Sequence, residues 1–123
     1  LNMASGLVTT KTKSVFDDPK TIKLHKNLFD EDALIFKDLK SRKVTLAHKD
    51  KGDVLQMTFK DFHYLGIWAK PDAPYVCIEP WLGIADSEFT NQHFEEKEGI
   101  NKLAVHDTFR ANYTIKINQS HLV

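Results

Sequence analysis

The sequence predicts an all-β fold of antiparallel strands. Three observations carry that expectation. Apolar and polar residues alternate with period two in several stretches, as they must where successive strand side chains point to opposite faces. Turn-forming residues separate those stretches. Helical spacing is almost absent, leaving room for at most one short helical turn.

The elements follow in chain order. Residues 7–13 and 21–25 read as short strands, with Asp17-Asp18-Pro19 as turn chemistry between them. Asp30-Glu31-Asp32 is an acidic turn before a strand at Leu34–Lys37. Val44 and Leu46 alternate with Lys43 and Thr45, and Leu55, Met57 and Phe59 alternate with Gln56 and Thr58. His48-Lys49-Asp50-Lys51-Gly52-Asp53 lies between them as a polar hairpin loop. Strands at 62–68 and 75–79 flank the turn Lys70-Pro71-Asp72-Ala73-Pro74. Residues 87–97 form either a weak helix, with Ser87 as N-cap and Gly99 just past its end, or a loop with one helical turn. Phe109, Ala111, Tyr113, Ile115 and Ile117 alternate with polar neighbours and predict a half-buried closing strand. About eight short strands in one chain indicate a β-sandwich or barrel.

Composition narrows the function. The chain has 123 residues, the size of one domain, with 17 basic and 17 acidic side chains and zero formal net charge. That balance supplies no field for nucleic acid or an anionic membrane surface. No apolar run approaches the ~18–20 residues of a membrane span. Cys77 is the one cysteine, so an intrachain disulfide is excluded and a reducing, cytoplasmic setting is expected. None of the six histidines lies in a metal-binding spacing, so no metal site is expected.

The segment Cys77-Ile78-Glu79-Pro80-Trp81-Leu82-Gly83-Ile84-Ala85-Asp86 is the strongest candidate for chemistry. Glu79 is the one charge in an otherwise apolar strand. Pro80 holds it extended and, having no N–H, is expected to end the ladder there. Such a carboxylate has a fixed direction, which suits a general base; the plain alternative is a strand-end glutamate paired with a cation. Trp68 and Trp81 flank it, and aromatic faces beside a carboxylate suit sugars, although both rings could equally be core. Asp86 either binds a hydroxyl or caps the turn at Ser87, and Asp32 is either held between apolar neighbours or solvated in its turn. Cys77 reads as a buried structural thiol.

The string from Leu65 to Asp86, followed by Glu96-Lys97-Glu98-Gly99-Ile100, resembles the aldose 1-epimerase (galactose mutarotase-like) superfamily, especially its LacX-like branch. Leu28-Phe29 and Asp32-Ala33-Leu34-Ile35-Phe36 also look like that branch. The resemblance implies a β-supersandwich of which this chain, 1–123, is the C-terminal portion. It implies Glu79 as the catalytic base, with Asp32 a candidate for sugar hydroxyls beside Trp68, Trp81 and Asp86. The implied reaction interconverts the α and β anomers of a hexose and needs no metal or organic cofactor. The partner acid is a histidine of an earlier motif that this chain does not match, so the chain alone is expected to be inactive. The expected partner is a small-molecule sugar, with self-association or contact with the absent N-terminal portion through open strand faces. The competing reading is a non-catalytic carbohydrate-binding β-sandwich module.

Overall fold

A computed structural model describes residues 5–12 and 20–121. The predicted turn at Asp17-Asp18-Pro19 and the end of the predicted first strand, Lys13, lie outside the described residues. Among the described residues, six strands form two antiparallel three-stranded sheets, a β-sandwich architecture. In chain order they are β1 (Leu34–Lys37), β2 (Lys43–His48), β3 (Gly52–Thr58), β4 (Tyr64–Trp68), β5 (Cys77–Trp81) and β6 (Thr114–Ile117). One sheet runs β1-β4-β5 and the other β2-β3-β6. Helix among the described residues is confined to single 3-10 turns at Phe94–Glu96 and Gln119–His121. None is long and apolar enough to cross a membrane.

The alternation read from the sequence decides which residues share a face. Leu34, Phe36, Leu65, Ile67 and Ile78 occupy one side of the first sheet through the pairs Leu34↔Ile67, Phe36↔Leu65 and Ile67↔Ile78. That side meets Phe29, Phe59 and Ala69 in the buried core, with Val44 of the second sheet packed against it. Phe59, just past β3, is 1% exposed and anchors the junction between the sheets. The opposite side of the first sheet carries Ile35, Gly66 and Glu79 in one row, and Lys37, Tyr64 and Trp81 in the next.

The β2–β3 hairpin forms as its loop chemistry predicts. Gly52 takes the left-handed φ of 71° that closes the turn, and the register slips between Leu46 and Ala47 as a bulge. The acidic turn at 30–32 also forms, Asp32 N–H donating to the Phe29 carbonyl at 3.0 Å. Across 70–74, Ala73 N–H donates to the Lys70 carbonyl at 3.0 Å.

Three expectations are corrected. Of the predicted strand at 7–13, the described residues 7–12 contribute one isolated bridge, Val8 to Ser87, because no strand among the described residues runs beside them. Residues 21–25 form no strand: Ile22 packs against the core, Leu24 is 49% exposed, and turns begin at once, as Leu28 N–H donates to the His25 carbonyl. The closing strand is four residues, not nine. β3 ends at Thr58, paired with Thr114, so 109–113 has no strand to pair with. Instead Asn112 N–H donates to Asp61, and Tyr113 meets Phe62 edge-on at 6.1 Å. Its apolar row is open to water: Tyr113 is 56% exposed, Ile115 47% and Ile117 50%.

A fourth correction concerns Pro80. The ladder does not stop there but runs on to Trp81, paired with Tyr64. Among the described residues β5 is the edge of its sheet, and a proline is tolerated in an edge ladder when its nitrogen faces outward.

Candidate functional site

Glu79 and Trp81 lie two residues apart on β5 and so point to the same side of the sheet. Both are partly buried. The Trp81 Nε1–H donates to Glu79 Oε2 at 3.2 Å. Glu79 is paired across the ladder with Gly66, which brings no side chain to that face. The space above Gly66 is filled by the Trp81 indole. Cys77 stands on the same side, opposite Trp68. Burial pushes the Cys77 thiol up from its ordinary value, and the charge and hydrogen-bonding capacity of nearby Glu79 add to the shift. A thiol so held is a poor nucleophile near neutral pH, although Cys77 is half-buried rather than buried as expected.

Trp81 also borders an open, mainly apolar recess of about 450 Å³, lined with Ile35, Ile84, Phe94, Lys97 and Ile100 among others. A larger depression of about 1540 Å³ adjoins it, sharing Ile35, Ile84, Ala85 and Lys97. Asp32 and Asp86 line the larger depression; Glu79, Trp68 and Trp81 do not. Asp86 is engaged by Lys97, Nζ to Oδ1 at 2.6 Å, and its carbonyl accepts Val8 N–H. It is Ser87 Oγ that closes the following turn, by accepting Phe89 N–H at 3.2 Å. Asp32 sits at a left-handed φ of 85°, with Oδ1 accepting the Ala33 N–H at 2.7 Å. Trp68 shares the Glu79 side by alternation, but its ring packs against the core cluster. The five sequence-predicted residues thus fall into a close pair, Glu79 with Trp81, two aspartates on the adjoining depression, and one core-packed tryptophan.

Sequence reasoning missed a second polar cluster on the same side. Lys37 Nζ contacts Glu98 Oε1 at 2.5 Å, and the buried Tyr64 hydroxyl donates to the same oxygen at 3.1 Å. The hydrogen bond from Lys37 holds the Glu98 carboxyl below its usual range against the opposing effect of burial, and the Tyr64 hydroxyl assists. Burial raises the Tyr64 phenol, and Glu98 raises the Lys37 ammonium. Gly99 makes room for this: its φ is 77°, and an added Cβ would lie 3.2 Å from the Tyr64 ring. The available signal was the Lys97-Glu98-Gly99 string; alternation alone could not say that it folds back over β4. Among the described residues, no three His, Cys, Asp or Glu side chains are grouped to hold a metal ion.

No protein-family model matches the chain. No solved structure matches it. Curated relatives include the plasmid and chromosomal LacX proteins of Lactococcus lactis subsp. lactis, each 32% identical over 115 residues. The chain is thus similar to LacX proteins across 92% of its own length, and it spans 38% of theirs.

Proposed function

We propose that this chain carries the base of an aldose 1-epimerase-like protein, with Glu79 taking the proton from the anomeric hydroxyl of a hexose. The observation that carries the reading is the Glu79–Trp81 pair. A partly buried carboxylate on a regular strand has one oxygen engaged by an indole N–H, with the Cys77 thiol as its other polar neighbour. The similarity to LacX proteins and the resemblance of the surrounding string support it. In the reaction, the glutamate removes the hydroxyl proton while a partner acid protonates the ring oxygen, and the C1–ring-oxygen bond breaks. Rotation about C1–C2 and closure on the other face give the opposite anomer, and both protons return. Base and acid must flank one sugar, so activity belongs to the whole protein.

Glu79→Gln in the full-length protein is the test. Anomer exchange, followed by polarimetry or NMR, is expected to fall by roughly 10²–10⁴-fold, with sugar binding largely kept. Near-normal exchange in that variant rejects Glu79 as the base. Sugar binding without exchange in the unsubstituted full-length protein would favour a carbohydrate-binding module. The feature that suits such a module is Trp81 bordering an apolar recess beside a carboxylate.

A further inference from the structure

We infer that Trp81 is the positioning residue for the Glu79 carboxylate and that Gly66 is the notch that lets it act; this rests on Glu79 being the base. Trp81 is paired with Tyr64, and Glu79 with Gly66. The indole does not stand over its own partner. It leans one row along β4 and lies on Gly66, where a Cβ would come 2.6 Å from Cζ2, 2.9 Å from Cε2 and 3.0 Å from Cη2. The first two separations are shorter than Cβ contacts come, so a side chain at this position would displace the ring.

Lying there, the indole turns its N–H toward the carboxylate of the same row, 3.2 Å from Oε2. A glutamate side chain is long, and a strand-edge carboxylate without a partner would sample several rotamers. The indole donor on Oε2 restricts the carboxylate plane, with the Cys77 thiol as the other polar neighbour. A base misplaced by about 1 Å costs on the order of 100-fold in rate, so fixing it bears on turnover. The indole is thus committed to glycine on one side and to the carboxylate at its nitrogen. Its role is more specific than that of a stacking platform for sugar.

Trp81→Phe keeps an aromatic ring and removes the N–H; Gly66→Ala keeps the N–H and lifts the ring. Both are made in the full-length protein. The expected result is a kcat for anomer exchange lowered about tenfold or more, with KM changed by less than about threefold. In the unsubstituted protein, the Trp81 indole N–H resonance is expected to be slow in solvent exchange and to shift in Glu79→Gln. In Gly66→Ala it is expected to lose that protection. An indole proton that exchanges at the solvent rate and ignores Glu79→Gln overturns the inference, as does Trp81→Phe with unchanged kcat. If Trp81→Phe fails to fold, Gly66→Ala decides by the same two readouts. Retained exchange in Glu79→Gln sinks the base reading itself, whereas an insensitive indole with an inactive Glu79→Gln sinks this inference alone.

Discussion

The Tyr64 hydroxyl donates to Glu98 Oε1 at 3.1 Å, joining the middle strand of one sheet to a loop 34 residues further along the chain. Removing the hydroxyl in Tyr64→Phe is expected to cost roughly 1 kcal/mol, read from the urea midpoint. The acid limb follows from Glu98. Its folded carboxyl titrates below the ordinary value of 4.5, so its contribution is present above that value and is lost as pH falls through the folded one. Lys37→Met removes the main cause, so its loss of stability on acidification is expected to be shallower than that of the unsubstituted protein. An identical acid limb would show that solvent screens the contact away, since the two side chains are 55% and 50% exposed.

Gly99→Ala is expected to destabilise by about 1–3 kcal/mol. The backbone there is left-handed, and the new methyl would meet the Tyr64 ring at 3.2 Å and the Gly83 Cα at 3.3 Å. Thermal unfolding checks it; an unchanged midpoint would mean that the loop shifts freely away from β4.

Phe59→Ala should cost about 3–5 kcal/mol, the largest single loss of the set. The ring is 1% exposed at the junction of the two sheets. Denaturant titration measures it, and a loss below about 1 kcal/mol would remove Phe59 from the centre of the core.

Cys77 should react slowly with iodoacetamide at neutral pH, its rate rising only above the ordinary thiol range. Glu79→Gln removes the neighbouring charge and should bring that rise to lower pH. An unmoved alkylation profile would show that burial alone holds the thiol up.

A protein made of these residues alone should self-associate as concentration rises. The row Tyr113, Ile115 and Ile117 is about half exposed, and β6 is an edge strand. Ile117→Lys is expected to shift sedimentation toward the monomer. A monomer at every concentration without the substitution would count against association through this row.

How far the sequence foretold all this can be seen in particular residues. Leu34–Lys37 is found where a short apolar run after an acidic turn placed it, and the hairpin closes at Gly52, because each carries a local signal sufficient for its structure. Alternation at 109–113 reported residues suited to a strand face, but a strand also needs a partner, and β3 has already ended at Thr58. For the site, the string around Glu79 marked the carboxylate and Trp81. The diagonal lean of the indole onto Gly66 depends on β4–β5 register, and the Tyr64–Glu98 bond depends on a distant loop; neither leaves a trace in local spacing.

Pro80, on the outer strand of its sheet among the described residues, has a consequence for what can pair with that edge. An open edge invites an incoming chain to copy its hydrogen-bonding pattern, residue by residue. At Pro80 that template has a gap, because the ring nitrogen has no hydrogen to offer. The gap lies between Glu79 and Trp81, so the strand that presents the carboxylate also resists being capped by a stranger.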